Sequence, residues 1–340
     1  SSSLLNRAKL TLSDLYSDQG NHDAAISTCQ SVLQVALQHN KGPLEVRARN
    51  HLALHYQSCA RFDDAKREYQ KALNQAVQVG DVFHQAIVQG NLAMVSGFLG
   101  LEDDARRSFQ ASIQANRALG YFGGAAVAMS NLGHLEIVLG NNEAAWEALK
   151  QAQESQLKTG RVRHLGQTLI GLGIISMNLD RLDEAKTYLE KASTLARQRR
   201  SMRGQVLASL FEAQRCLLTA EFEEGLRIIQ EAVTHSQKLK WSHVEGVAWS
   251  IMGALEVERS DLSRGRKLLD KSRRMLSDGH YEDHAQLHIY YGRLALAKGS
   301  LEQARHHHRT ADDFRVKRRM GRKSHIGLEL DRLKRAMAVP

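Results

Sequence analysis

The stretch NLGHLEIVLGNNEAAWEAL, residues 131–149, has a near-copy forty residues earlier, NLAMVSGFLGLEDDARRSF, residues 91–109. Five positions of the later stretch repeat the residue found forty places upstream: Asn131, Leu132, Leu139, Gly140 and Ala145. A fixed period of this length indicates an array of repeated structural units, which must be identified before single motifs are interpreted.

The forty-residue period extends along nearly the whole chain. A small residue recurs at Ala25, Ala65, Ala105, Ala145, Ala185, Gly225, Gly265 and Ala304. A second small residue lies twelve positions before each: Ser13, Ala53, Ala93, Gly133, Gly173, Ala213, Gly253 and Gly292. A turn position falls between them: Gly20, Ala60, Gly100, Gly140, Asp180, Ala220, Ser260 and Gly299. Small side chains let adjacent helix axes approach to about 8–10 Å, so the pattern predicts a packing unit of two helices.

Each repeat is expected to fold as a helix, a turn and a second helix. Turn glycines such as Gly100 can take the left-handed conformation that commonly ends a helix. Acidic residues start the second helix in most repeats, as at Asp63 and Asp103, where they favour the positive end of the helix dipole. The chain has only two prolines, Pro43 and Pro340, so nearly all of it is free to be helical.

The order of Asn-Leu-Gly/Ala, a turn glycine, an alanine and a larger apolar residue resembles the tetratricopeptide repeat (TPR). The matching positions are Leu92, Ala93, Ala105, Phe109 and Ser112, then Leu132, Gly133, Ala145, Leu149 and Ala152. The long form of the repeat is similar to those of Pins/LGN-type scaffolds, kinesin light chains, and the sensor regions of MalT-like and other signalling ATPases. Repeats 6 and 8 match least well, with Glu212 and Tyr291 where a leucine is usual.

The resemblance implies an all-α fold, a right-handed superhelical solenoid of eight antiparallel helix pairs followed by a C-terminal capping helix. The expected repeats are 4–43, 44–83, 84–123, 124–163, 164–203, 204–243, 244–283 and 284–323, with 324–340 as the capping helix and tail. Many binding proteins share this fold, so function has to be argued from sites.

The first helices of such a solenoid line its concave side. The resemblance places thirteen side chains there: Ile87, Asn91, Met94, Phe98, Val127, Asn131, His134, Ile137, Val138, Ile170, Ile174, Met177 and Asn178. This largely apolar wall suits an extended or helical segment of a partner, with Asn91 and Asn131 bonding its backbone. The same spacing is also typical of packing against a neighbouring repeat, so the residues form either a groove or part of the core.

The C-terminal end of the chain is basic and is a second candidate surface. From Arg264 onward there are 19 Lys and Arg against 9 Asp and Glu, which accounts for the whole net charge of +10. The densest stretch is RVKRRMGRK, with Arg315, Lys317, Arg318, Arg319, Arg322 and Lys323. It could bind nucleic acid or an acidic protein face, or it could be a solvated terminal helix.

The sequence shows no catalytic motif and no metal motif. Neighbouring side chains on a helix point about 100° apart, so the HHH stretch at 306–308 is a poor chelate. His284 and His288 have the spacing of a zinc-binding pair, but no third ligand follows at a motif spacing. Phosphate-binding glycine loops and nucleophile elbows are missing from the sequence. We therefore expect no enzyme, no cofactor and no metal site.

Composition indicates a cytoplasmic protein. The three cysteines, Cys29, Cys59 and Cys216, are far apart and odd in number, which argues against a disulfide framework and for a reducing compartment. No stretch approaches the 18 or more apolar residues of a membrane span, so we expect no membrane partner.

These observations lead to three function hypotheses. The first is a non-enzymatic scaffold, adaptor or regulatory sensor domain that binds a peptide or helix of a partner, or of its own parent protein, in the concave groove. The second is binding of nucleic acid or an acidic partner by the basic end. The third is a small-ligand sensor domain of a signalling or transcription regulator. Self-association is compatible with all three hypotheses.

Overall fold

The computed structural model describes residues 2–18, 20–160 and 164–338, and these form α-helices and turns. Seventeen helices follow one another in this part of the chain: α1 (Ser2–Asp18), α2 (His22–Gln38), α3 (Gly42–Ser58), α4 (Phe62–Gln78), α5 (Val82–Phe98), α6 (Glu102–Ala118), α7 (Phe122–Leu139), α8 (Asn142–Lys158), α9 (Leu165–Asn178), α10 (Leu182–Gln198), α11 (Met202–Leu218), α12 (Phe222–Lys238), α13 (Ser242–Glu258), α14 (Leu262–Met275), α15 (Tyr281–Ala297), α16 (Leu301–Lys317) and α17 (His325–Ala336). The predicted all-α solenoid of helix pairs with a terminal helix is confirmed. A few positions of the expected first and fourth repeats and of the tail, namely 19, 161–163 and 339–340, lie outside the described residues.

Left-handed residues separate the helices. All eight turn positions expected from the sequence have positive φ, from +57° at Ala60 to +78° at Gly20. A second set, which includes Gly80 and Gly120, follows the even-numbered helices, so one left-handed residue stands after each helix from α1 to α16. At Ala60 and Ala220 this conformation places Cβ close to the following carbonyl oxygen, which costs roughly 1–2 kcal/mol per residue.

The small-residue column is the packing column that the period predicts. Its alanines are fully buried, and the residue four positions later is buried beside it in the first seven repeats: Cys29, Tyr69, Phe109, Leu149, Leu189, Ile229 and Leu269. Full burial of one large apolar side chain stabilises the fold by about 1.5–3 kcal/mol.

The three cysteines are free thiols, as expected. Cys29 and Cys216 are buried, and burial raises the pKa of their thiols to about 11 and about 12. A thiol with such a pKa is a poor nucleophile at neutral pH, because the thiolate is the reactive form. These two cysteines therefore act as packing residues.

The chain divides into two compact units within α7. Unit 1 comprises residues 1–132, and unit 2 comprises residues 133–340. The apolar core of unit 1 includes a cluster around Val46, Tyr69 and Val88. Unit 2 contains a cluster around Leu149 and Ile175, a larger one from α11 to α15, and a third that involves α15, α16 and α17.

Helix α7 has the length and composition of a membrane span, contrary to the expectation that no stretch comes near one. It has 18 residues with a mean hydropathy of 1.2, and half of it is buried in the fold. A core helix of a soluble protein meets the same criterion, so this feature is weak support for a membrane segment. It is the one such helix among the described residues.

Candidate functional site

Odd-numbered helices form the inner layer of each unit. In unit 1, α1 contacts α3 and α3 contacts α5, while each also packs on its even-numbered neighbours. In unit 2, α9, α11, α13 and α15 make the corresponding chain of contacts. No comparable contact joins one even-numbered helix to the next within the described part of either unit. The inner face therefore belongs to the helices on which the sequence places the groove.

The predicted groove residues of unit 1 are all partly exposed. They are Ile87, Asn91, Met94, Phe98, Val127 and Asn131. Phe98 is committed to packing, because its ring stacks on Phe62 of α4 with centroids 4.8 Å apart. The other five, together with Asn50, which is 9% exposed, define what we call the unit 1 groove.

An asparagine pair spans two helices of the unit 1 groove. The side-chain amide of Asn91 on α5 donates a hydrogen bond of 2.9 Å to the amide oxygen of Asn50 on α3. The amide nitrogen of Asn50 and the amide oxygen of Asn91 make no further hydrogen bond within the described residues. The pair thus offers the amide nitrogen of Asn50 as a donor group and the amide oxygen of Asn91 as an acceptor, and a peptide unit can pair with both.

Most of the predicted groove residues of unit 2 lie in its core. Ile137, Ile170, Ile174 and Met177 are only 6%, 6%, 8% and 1% exposed. This is the packing alternative that the apolar spacing left open. His134, Val138 and Asn178 are partly exposed. Both polar side-chain atoms of Asn178 are nevertheless buried without a hydrogen-bond partner in the described structure.

The chain's own end covers part of this face in unit 2. We call residues 320–338 the C-terminal segment. Its Gly321 donates a backbone hydrogen bond of 3.0 Å to the carbonyl oxygen of Val138, and Val138 packs against the cluster that contains Ile326 and Leu330. A Cβ atom on Gly140 would lie 2.8 Å from the amide nitrogen of Ser324. The segment thus passes directly against the α7–α8 turn.

Helix α17 of the C-terminal segment packs on α15, α16 and α9, and its start is fixed by Ser324. The Ser324 hydroxyl oxygen accepts a hydrogen bond from the Gly327 amide at 3.2 Å, which caps the helix. The resemblance predicts this helix only as the capping element that follows the eight repeats. The surface that receives it is set by tertiary packing and has no periodic signal.

A buried ion pair holds α17 to α15. Glu329, with a side chain 3% exposed, lies 2.8 Å from the Arg293 guanidinium and also contacts Arg332. Arg293 in turn bonds Glu258 at 3.0 Å. Burial alone raises the pKa of Glu329, but the charges of Arg293, His325 and Arg332 outweigh it and the pKa lies below its usual value. Glu329 is therefore a carboxylate at neutral pH.

The basic stretch is only partly available to a partner. Arg315 bonds Asp312 at 2.6 Å and the Met320 carbonyl at 2.8 Å, so it stabilises the end of α16. The Lys317 ammonium stands 4.6 Å from the ring centroid of Tyr281. Arg318 is partly buried, whereas Arg319, Arg322 and Lys323 are exposed. The six charges do not form one continuous free surface.

A charged cleft of about 420 Å³ lies between α10, α11 and α12. Its buried cation, Arg215, is 2% exposed and lies 2.9 Å from Glu212 and 2.8 Å from Glu221. The hydrogen bond from Arg215 lowers the pKa of Glu221 to about 2. Two carboxylates already neutralise the guanidinium, so Arg215 itself offers no unpaired positive charge to an anionic ligand.

The two histidines with the spacing of a zinc pair make separate contacts. Nδ1 of His288 lies 3.1 Å from Nδ1 of His307, while Nε2 of His284 lies 3.2 Å from the Ser277 carbonyl oxygen. Two groups that sequence analysis missed bring three ligand atoms together in the described structure: Asp14, His51 and His55, and His243, His280 and Asp283.

Two comparisons of sequence bear on the family. The model of the tetratricopeptide repeat matches residues 7–39 and 166–199, one stretch in each unit. No curated protein matches the sequence significantly.

Solved structures resemble the fold over most of the chain. The aspartyl phosphate phosphatase F of Bacillus subtilis has a TM-score of 0.66 at 12% identity, covering 83% of this chain and 74% of its own. The apo quorum sensor NprR of B. thuringiensis has a TM-score of 0.66 at 15% identity, covering 92% and 88%. A signal transduction ATPase with a tetratricopeptide repeat sensor from Pyrococcus horikoshii has a TM-score of 0.57 at 13% identity, covering 98% of this chain and 52% of its own. At identities this low, the similarity shows a common fold only, and the function has to be argued from the site.

Proposed function

We propose that this chain, a tetratricopeptide-repeat protein, is a non-enzymatic interaction domain whose unit 1 groove binds a peptide segment of a protein partner. The observation that carries the proposal is the Asn50–Asn91 pair, which holds an unused donor and an unused acceptor on adjacent inner helices. Scaffold, adaptor and regulatory sensor roles all fit such a site. The sensors among the similar structures support the regulatory role by fold only.

The unit 1 groove favours one backbone conformation of the bound peptide over another. A peptide that is helical satisfies its own backbone groups internally, whereas an extended peptide keeps one donor and one acceptor per residue available. The asparagine pair therefore favours an extended segment. Ile87, Met94 and Val127 are partly exposed apolar neighbours on α5 and α7, and they suit alternate apolar side chains of that segment.

The groove of unit 1 is a better candidate than the equivalent face of unit 2. Ile137, Ile170, Ile174 and Met177 are already buried, and the C-terminal segment lies beside Val138. A partner on unit 2 would have to replace contacts that the chain makes with itself. A partner on unit 1 would bury apolar surface that the unit leaves exposed.

The test is selection of a binder from a random peptide library, followed by measurement of its affinity for Asn91→Ala. Loss of a backbone hydrogen bond should weaken binding about 5- to 10-fold, because such a bond contributes about 1 kcal/mol. The matched control is Asn74→Ala, which removes an exposed asparagine from α4 of the same unit. Equal affinity of wild type and Asn91→Ala for every selected peptide would refute the proposal.

A further inference from the structure

Three polar side chains of unit 1 converge where α1 crosses α3. His51 and His55 lie one helical turn apart on α3, and Asp14 faces them from α1. Nδ1 of His51 is 2.9 Å from Oδ1 of Asp14, and Nε2 of His55 is 3.8 Å from the same oxygen. All three ligand atoms lie within 4.8 Å of one another.

We propose that Asp14, His51 and His55 form a binding site for a divalent transition metal, with Zn²⁺ as the best-suited ion. Zinc takes nitrogen and oxygen ligands at about 2.0–2.2 Å in a tetrahedral arrangement, which puts neighbouring ligand atoms about 3.3 Å apart. The distances from Oδ1 of Asp14 to the two imidazole nitrogens, 2.9 and 3.8 Å, bracket that value. Small side-chain rotations would bring all three atoms onto one ion.

The burial of the three ligands suits an open site. The His55 side chain is 3% exposed, that of His51 is 25% exposed, and that of Asp14 is 49% exposed. The ion would enter from the Asp14 side and rest against the buried imidazole. Three protein ligands leave a fourth position, which faces solvent and would hold water or a side chain of a bound partner.

The polar neighbours of His55 permit metal binding. Its Nε2 lies 3.0 Å from the hydroxyl oxygen of Ser13, which also accepts from the Cys29 thiol at 3.2 Å and donates to the Leu10 carbonyl. The one hydrogen of the Ser13 hydroxyl is donated to Leu10, so Nε2 of His55 carries the proton in this contact. Binding of a metal at Nε2 requires the tautomer of His55 with the proton on Nδ1, and Ser13 keeps its bonds to Leu10 and Cys29. Its contact with His55 is the one exchanged for the metal.

The second histidine group has similar distances but the wrong proton arrangement. Nε2 of His243 is 2.8 Å from Asp283, and its Nδ1 accepts a hydrogen bond from the backbone amide of Ser277 at 3.0 Å. A metal on Nε2 would require the proton on Nδ1, which would then point at another donor. A backbone amide cannot reverse its role. The group of His243, His280 and Asp283 therefore serves as an internal control.

Metal binding would link helix α1 of the first repeat to helix α3 of the second repeat. Helix α1 contacts α2 and α3 among the described elements, so an ion held by Asp14 and the two α3 histidines would cross-link α1 to α3. The ion binds the folded unit and should raise its melting temperature in proportion to the logarithm of metal concentration.

The experiment uses the full chain, stripped of metal with a chelator and titrated with ZnCl₂ by calorimetry. We expect one ion per chain, and a weakening of about 100-fold or more for His51→Ala and Asp14→Asn, since even residues that only orient metal ligands change affinity 10- to 100-fold. His243→Ala should bind as wild type does. The visible spectrum of the Co²⁺ form should show tetrahedral coordination by nitrogen and oxygen.

Folding is checked by circular dichroism, and His51→Gln provides a second variant that keeps the size of the side chain. Failure of the wild type to bind Zn²⁺, equal binding by His51→Ala and wild type, or loss of the ion in His243→Ala would each overturn the assignment. Because the groove test above uses peptides and Asn91, it can fail or succeed independently of this one.

Discussion

The two units use the same inner positions in different ways. In unit 1, Met94 stays partly exposed, whereas in unit 2 the residue two periods later, Ile174, is buried. Unit 2 covers part of its own inner face with the C-terminal segment, which Gly321 anchors at the Val138 carbonyl. A repeat position therefore does not have a fixed role: what lies against it decides whether it is a groove residue or a core residue.

The largest expected effect comes from Gly321→Ala. A Cβ atom there would overlap the carbonyl oxygen of Leu139 and lie 3.0 Å from the amide nitrogen of Gly140, so the C-terminal segment would have to move. We expect unit 2 to lose about 3 kcal/mol of unfolding free energy. All three tryptophans, Trp146, Trp241 and Trp249, lie in unit 2, so urea unfolding followed by tryptophan fluorescence measures the loss.

Gly299→Ala is the matched control for this prediction. Its φ is +73°, and a Cβ atom there would meet nothing within 4 Å, so only the backbone cost of roughly 1–2 kcal/mol applies. If Gly321→Ala costs no more than Gly299→Ala, the C-terminal segment is not packed against the α7–α8 turn as described. Gly80→Ala in unit 1 should leave the tryptophan signal unchanged.

The periodic part of this fold follows from the sequence, but the contact of its C-terminal segment does not. Turns such as Ala60 and packing residues such as Ala145 recur because each repeat packs two helices joined by a left-handed turn. Gly321 interrupts a basic stretch, and no periodic residue marks its approach to Val138. The sequence also does not indicate that the buried carboxylate Glu329 pairs with Arg293, because the two residues meet only where the C-terminal segment packs on α15.

For each candidate site, too, the sequence predicts some of the residues, and the structure is needed to bring in the others. The spacing of His51 and His55 is visible in the sequence, but Asp14 joins them only through the crossing of α1 and α3. Asn91 was predicted as a backbone-bonding residue from its place in the repeat. Its pairing with Asn50, which leaves a donor and an acceptor unused, required the distance between α3 and α5.

Acid should reduce the stability of unit 2 through His288. Burial, reinforced by the nearby charge of His307, lowers the pKa of His288 to about 4. The unfolded chain binds a proton near pH 6.5 while the folded one does not, so stability is complete above pH 6.5 and falls as the pH drops towards 4. His288→Phe should reduce this pH dependence of the tryptophan-detected unfolding. An unchanged slope between pH 7 and 4.5 would show that His288 does not contribute.

A third, smaller effect compares equivalent turns in the two units. Ala60 and Ala220 have φ of +57° and +58°. Replacing either with glycine should stabilise its unit by about 1 kcal/mol, because relief of the left-handed strain exceeds the added entropy of the unfolded chain. Ala220→Gly should raise the tryptophan-detected midpoint, whereas Ala60→Gly should change circular dichroism only. A shift of the tryptophan signal by Ala60→Gly would mean that the two units unfold together.

The smallest expected effect separates the groove from the basic end. Arg322→Glu/Lys323→Glu reverses two exposed charges, and exposed substitutions usually change stability by within about 0.5 kcal/mol. The double variant should bind a selected peptide as wild type does, at low and at high salt, because none of the residues of the unit 1 groove is charged. If peptide affinity instead drops and becomes steeply dependent on salt, contacts with basic residues dominate binding. The partner would then lie on the basic end of unit 2, and the open inner face of unit 1 would need another explanation.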